Sequence, residues 1–384
     1  MWWWQRTDAR LAGVRHSTLW RSLLAAFLFC ALAFPVAALC FGHLPLAGLP
    51  AAGVLWHLLV LPVVVFVVLL MDLFRVIIRR FRRPAPAAIS SAGLSRREFL
   101  TGLAASAPIL ATGGLTVCGM DQIGKFRRRD FDLSFPTWPA QLDGFTIAVV
   151  ADVHTGPFTT QRMLEEIVEK TNTIHNGGPA DLVILGGDLI NTSLRDLPQA
   201  LEMATALRSR LGTYACMGNH DVMDDARKFV SGVERAGIPV LIEDIVELGP
   251  LIGPRFQLLG VDWIYGDQNL YNLLSGVACR RNPDLFPICL AHHPHAWDEG
   301  VRQGLPLVIS GHTHGGQIML TDRIGGGPLR FRYWSGLYHR DGSTLVVSNG
   351  VGNWFPLRIN APPEILKLTL RSSQPASMRS DQGQ

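Results

Sequence analysis

Residues 145–154 read FTIAVVADVH and residues 181–188 read DLVILGGD. In each, a run of apolar and β-branched residues shorter than an ordinary helix stops at an aspartate in a polar or glycine-bearing cluster, as a buried strand does when it runs into a loop. The pattern recurs three times. Residues 213–217 lead into Gly218-Asn219-His220-Asp221, residues 287–291 into His292-His293-Pro294, and residues 305–310 into Gly311-His312-Thr313-His314. Between these runs lie helical stretches, residues 160–174 with a Glu165, Glu166, Glu169, Lys170 face, and residues 197–211. Strand alternating with helix predicts an α/β domain of stacked layers over residues 143–371, followed by a disordered polar tail over 372–384. In such sheets the acting side chains sit on loops beyond the strand ends.

Those loops collect Asp152, His154, Asp188, Asn219, His220, His292, His293, His312 and His314. Oxygen and imidazole donors without thiolate suit manganese, iron, zinc or similar divalent cations. The set is large enough for two ions sharing one carboxylate. Two ions about 3.5–4 Å apart can hold a phosphoryl group, generate hydroxide near neutral pH and stabilise a leaving oxygen. His220 follows directly on Asn219, and adjacent side chains rarely reach one ion, so His220 reads as a non-ligand. His293 reads the same way, because one histidine of the pair suffices. His16, His43, His57, His175, His295 and His339 read as ordinary packed histidines, Asp181 as a cap, and Gly315, Gly316, Gly325, Gly326 and Gly327 as turn glycines.

The series Asp152-x-His154, Gly187-Asp188, Gly218-Asn219-His220-Asp221, His292, Gly311-His312-x-His314 resembles the five-block signature of the calcineurin-like metallophosphoesterases, in order and at compatible spacings. The resemblance covers residues 144–370. It implies an αββα sandwich of two packed mixed sheets flanked by helices, and a metal-dependent hydrolase of phosphoric ester or pyrophosphate bonds. By position it implies that Asp152, His154 and His314 hold a first metal, and that Asn219, His292 and His312 hold a second. Asp188 would bridge the two, His220 would protonate the leaving alkoxide, and Asp221 would orient His220 through a hydrogen bond.

The rest of the chain points to lipid. Of 384 residues, 48% are hydrophobic and 17% charged, with mean hydropathy +0.21, which excludes disorder, coiled coil and collagen. Residues 1–97 carry a net charge of +9 and the remainder −5, so the basic balance is local and no nucleic-acid surface is expected. Residues 22–41 and 51–71 are uncharged apolar runs, each long enough for the roughly 20 residues that span a bilayer, and residues 99–117 are a third, less apolar one. These predict a membrane module over 1–118 with three helices, then a juxtamembrane linker over 119–142. Ser95-Arg96-Arg97-Glu98-Phe99-Leu100 resembles a twin-arginine export signature, which would make the export machinery a partner. The arginines before the first run and between the second and third place both segments in the cytoplasm. A multi-pass protein of the bacterial inner membrane follows, with its catalytic domain on the periplasmic side.

Six cysteines are scattered without a CxxC pair; a bridge between Cys279 and Cys289 is conceivable, but Cys289 reads as part of a buried strand. Ser310–Ile318 and residues 350–365, ending in Pro362-Pro363-Glu364-Ile365, are similar to the membrane-anchored bacterial branch of the family and to transmembrane proteins with a metallophosphoesterase domain. Some members of that branch are UDP-2,3-diacylglucosamine pyrophosphohydrolases of lipid A synthesis. The expected substrate is therefore a lipid-linked or envelope phosphodiester or pyrophosphate, with a non-catalytic metal-binding module as the reading from another class. Trp263, Tyr265, Tyr333, Trp334, Trp354 and Phe355 are either core and rim aromatics or a surface for acyl chains.

Overall fold

The computed structural model describes residues 110–249 and 253–373, together with positions 53, 60, 61, 63, 64, 66, 67, 70 and 77 of a helical stretch. The chain divides into two compact units, residues 1–120 and 121–384. In the first, the expected spans at 22–41, at most of 51–71, and at 99–109 lie outside the described residues; from 110 to 122 the chain is helical. Among the described residues no helix is long and apolar enough to cross a membrane.

Among the described residues, the second unit holds eleven strands in two sheets. One sheet has the order β1(Arg127–Phe135), β11(Glu364–Ser372), β2(Phe145–Val150), β3(Leu182–Leu185), β4(Thr213–Ala215). The other runs β5(Ile245–Leu248), β6(Phe256–Val261), β7(Phe286–Ala291), β8(Leu307–Ser310), β10(Ser343–Val347), β9(Gly336–Arg340). Both are mixed. β2, β3 and β4 are parallel, as are β6, β7, β8 and β10, while β11 with β2, β5 with β6, and β9 with β10 pair antiparallel.

Side-chain alternation along each strand sorts the residues into three apolar layers. Ile147, Val149, Leu182 and Ile184 of one sheet meet Leu258, Ile288, Leu290 and Ile309 of the other in the central layer. Their neighbours Ala148, Val150, Val183 and Leu185 pack outward under α1(Gln161–Asn172), α2(Leu197–Thr205) and α3(Ala226–Arg235). Leu259, Val261, Cys289, Val308 and Leu345 pack under α4(Asp267–Ala278) and α5(Ala296–Arg302). The layering is helix, sheet, sheet, helix. Near-continuous hydrophobic runs in β2, β3 and β7 follow from burial on both faces.

Four expectations change. Residues 127–135, assigned to a linker, form β1, whose inward Leu133 and Phe135 are buried against the central layer while Arg127 and Arg129, on the same face, pair with the buried Glu364. The domain therefore begins before residue 143. The helix expected over 197–211 stops at Thr205, and residue 372, expected in the tail, closes β11. Cys279 and Cys289 are both free, the first exposed and the second buried in β7.

Candidate dinuclear metal centre

The carboxyl ends of the parallel strands converge, and every expected ligand lies on a loop just beyond one. Asp152 and His154 follow β2, Asp188 follows β3, Asn219 follows β4, His292 follows β7, and His312 and His314 follow β8. Asp152 (φ 52°), His154 (φ 46°), Asp188 (φ 54°), His312 (φ 73°) and His314 (φ 50°) all adopt left-handed backbone. That conformation costs a non-glycine residue about 1–3 kcal/mol and persists where the surroundings over-determine it. Hydrogen bonds supply the over-determination: the Asp152 amide donates to Gly187 O at 2.9 Å, the His154 amide to Asp188 O at 2.9 Å, and the His312 amide to Asp152 Oδ1 at 2.8 Å. Gly187 (φ +87°) leaves no room for a side chain, since a Cβ there would stand 2.5 Å from His292 Nδ1.

Three overlapping donor groups result, Asp152 with His154 and His314, Asp188 with His292 and His312, and between them His154 with Asp188 and His220, the atoms of each lying within 4.8 Å of one another. His154 Nε2 and His314 Nε2 face each other at 2.9 Å, and His314 Nε2 is 3.6 Å from Asp152 Oδ1. Asn219 joins the second group, with its Oδ1 at 2.8 Å from His312 Nδ1. One oxygen links the groups: Asp188 Oδ2 lies 3.6 Å from His154 Nε2 and 3.1 Å from His292 Nε2. His220, expected as a non-ligand, thus stands within reach of the two ligands that link the outer groups, its ring 4.5 Å from that of His154. His293 belongs to none of the three groups, yet it stacks on His312 at 4.8 Å and packs beside Trp263.

One expectation about a supporting residue comes out differently, and two supporting residues were not foreseen. The His220 ring hydrogen-bonds Asn191 O, and the Asp221 carboxylate is engaged elsewhere. That carboxylate accepts the amides of Asp188, Leu189, Ile190 and Gly218 at 2.8–3.2 Å, so it builds the loops that carry Asp188 and Asn219. His220 is oriented instead by Asn191, whose carbonyl oxygen takes up its Nδ1 and leaves Nε2 free. The second unforeseen residue is Arg358. Fully buried, its guanidinium lies 2.8 Å from His314 Nδ1 and donates to the carbonyls of Asn349, Gly352 and Ala361 and to Asn353 Oδ1. The available signal was an arginine within an apolar, proline- and glycine-rich segment.

The donor set fits divalent cations. Asp152 Oδ2 and His292 Nε2 are buried without a hydrogen-bond partner, the Nε2 being misaligned toward Asp188. Burial pushes Asp152 up to about 7, with His292 opposing and the Asp188 charge adding to it. Burial would also raise Asp188, but His292, with His154 and His220 adding to it, outweighs burial and holds the carboxylate below its usual range. His292 itself is driven up to about 10: burial favours the neutral ring, and the Asp188 and Asp152 charges overcome it. Burial lowers His154 to about 3 and takes His312 and His314 well below the ordinary histidine range, helped by the charges of His292 and Arg358 respectively. A proton on His292 thus does the neutralising that a cation would do between these carboxylates, while three rings keep the neutral form that ligation requires.

Residues 145–316 match the calcineurin-like phosphoesterase family, and all the expected ligands fall within that span. Over that span the chain is similar to this family, and it holds clustered aspartate and histidine side chains able to bind divalent metal. It is 30% identical over 233 residues to an uncharacterized metallophosphoesterase of Helicobacter pylori, covering 58% of this chain and 59% of that one. It is 28% identical to the uncharacterized metallophosphoesterase YkuE of Bacillus subtilis, over 73% of this chain and 99% of that one. A transmembrane protein with metallophosphoesterase domain from Danio rerio is 28% identical over 64% of this chain and 57% of its own length. The chain thus spans about three fifths of the length of several curated relatives it matches.

Proposed function

We propose that this protein is a membrane-anchored dinuclear-metal phosphoesterase that hydrolyses a phosphodiester or pyrophosphate bond of a lipid-linked or envelope substrate. The position of Asp188 Oδ2 between His154 and His292 carries the reading, because one carboxylate oxygen within reach of both outer donor groups is what a shared ligand requires. Asp152, His154 and His314 would hold one cation and Asn219, His292 and His312 the other. Bound there, two divalent ions supply Lewis acidity toward the phosphoryl oxygens and lower the pKa of water. The chain's own residues do the rest. Asp221 holds the ligand loops in place, and Asn191 aims His220 so that its free Nε2 can hand a proton to the leaving oxygen.

Anchoring is supported by the apolar runs at 22–41, 51–71 and 99–117, and by Val63, Phe66, Val67 and Leu70, which are exposed on helical positions of the first unit. The arginine distribution and the Ser95–Leu100 segment support a periplasmic catalytic domain. The test is hydrolysis by the detergent-purified full chain of bis-p-nitrophenyl phosphate, a monoester and UDP-diacylglucosamine, each with Mn²⁺ and after EDTA. Metal-dependent diester cleavage without release of UMP from the lipid sugar is the expected result. Release of UMP would assign the lipid A reaction and a cytoplasmic domain, and no turnover of any would leave a binding module.

A further inference from the structure

Within the described residues of 121–373, the large apolar side chains left exposed are Met223, Tyr265, Leu320, Ile324, Leu329 and Trp354. All six lie on loops leaving the carboxyl ends of strands β4, β6, β8 and β10, the same ends that carry the ligand histidines and aspartates. None lies at the opposite end or on the outer helices. Half of them belong to one segment, residues 317–335, with Leu320 60%, Ile324 58% and Leu329 89% exposed.

This segment is a preformed arm. A bridge pairs Met319 with Gly325, the Leu320 amide donates to Ile324 O at 2.8 Å, and the tip turns at Thr321, Asp322 and Arg323. Its base is fixed to the ligand loop, where the Gly326 amide reaches Ile318 O at 2.8 Å and a Cβ on Gly325 would collide with Met319. Asn360 Nδ2 holds it from the side, donating to Met319 O at 3.0 Å. Leu320 and Ile324 therefore project beside each other from a braced hairpin, and Leu329 from the short helix that follows it.

The arm carries three arginines and one aspartate. Arg332 is taken up by Asp298 and Asp267. Arg330 makes no ion pair among the described residues; it rests over the Phe331 ring, which packs edge-on against His312. Arg323 is extended at the tip, with Asp322 at 4.0 Å. Apolar side chains beside basic ones that lack a close acidic partner match the boundary of an anionic bilayer, with apolar groups entering the acyl region and guanidinium groups at the phosphates.

We propose that residues 320–330 dock onto an anionic lipid surface through Leu320, Ile324 and Leu329, with Arg323 and Arg330 on the headgroups, so that the mouth of the metal centre opens at the membrane interface. The proposal rests on the reading of the site as a lipid-facing phosphoesterase and names the surface that brings it to its substrate.

The test is hydrogen–deuterium exchange of the full chain in nanodiscs of phosphatidylcholine alone and of phosphatidylcholine with 30% phosphatidylglycerol. Peptides spanning 317–335 are expected to exchange at least fivefold more slowly with phosphatidylglycerol present. The slowing should vanish in the L320N/I324N/L329N variant, whose changes fall on exposed side chains and whose melting temperature reports that it is folded. Equal exchange in the two discs, or equal slowing in the variant, would overturn the docking. Metal-dependent cleavage of soluble bis-p-nitrophenyl phosphate, measured on the same samples, separates the two ideas: cleavage without loop protection removes the docking alone, and protection without cleavage removes the hydrolase alone.

Discussion

Asp188 and Asp221 brace each other's loops: Asp221 Oδ2 accepts the Asp188 amide at 2.8 Å, and Asp188 Oδ1 accepts the amide of His220, the neighbour of Asp221, at 2.8 Å. The shared-ligand candidate and the proton-donor candidate are thus positioned through one reciprocal pair. Asp221→Ala would leave four buried amide donors without an acceptor, each orphan costing about 1–3 kcal/mol before relaxation. The expected net loss is about 3–5 kcal/mol, read from a denaturant midpoint. Asp221→Asn, which retains one acceptor oxygen, should fall between the two.

Replacing Asp188 by asparagine preserves an acceptor for the His220 amide but removes the charge between His154 and His292. Bound metal should drop from two ions per chain toward one, and turnover should fall by more than about 100-fold, beyond the loss typical of residues that only support ligands. Mass-spectrometric metal analysis beside a diester assay checks this. Two retained ions with full activity would remove Asp188 from its assigned role.

His220→Asn separates proton transfer from metal binding. With its ring held by Asn191 and the ligands intact, metal content should be unchanged while turnover slows by about 100-fold. Equal loss of metal would make His220 a ligand instead.

Metal uptake should release protons, and the sign follows from the metal-free site. His292, raised to about 10, is charged at pH 8 and must be neutral to ligate, so about one proton leaves there. Asp152, at about 7, is mostly ionised at pH 8 and mostly protonated at pH 6, adding a second proton as pH falls. Calorimetric titration with Mn²⁺ in two buffers of different ionisation enthalpy should therefore give release rising from about one to about two protons between pH 8 and pH 6, with affinity weakening in step. Release independent of pH would contradict this charge arrangement.

Arg358→Leu should cost about 3–5 kcal/mol, because the carbonyls of Asn349, Gly352 and Ala361 lose a buried charged donor. His314 loses its support as well. The first cation should then bind more weakly than the second, which equilibrium dialysis across a range of metal concentrations would resolve.

The candidate ligands were legible because their constraint is local. Each needs a short apolar strand and a polar cluster after it, and both are contiguous in the chain, as at residues 145–154 and 305–314. The central strands β2, β3, β7 and β8 were visible for the same reason: burial on both faces makes them uninterrupted apolar runs. Strand β1 was hidden, since at the sheet edge only Leu133 and Phe135 near its end are buried and its first four residues, Arg127, Arg128, Arg129 and Asp130, are charged and outside any apolar run.

What the sequence by itself determined is the inventory: which residue types stand at the strand ends, in what order, and the apolar runs of the first hundred residues. Only the tertiary structure decided the partnerships. That Asp221 serves four backbone amides rather than the His220 ring, that Asn191 rather than Asp221 aims that ring, and that Arg358 stands behind His314 are contacts across separations of up to 44 residues. A buried hydrogen bond is specified by the direction of two groups brought together in space, and direction across such a gap exists only after both sheets have packed.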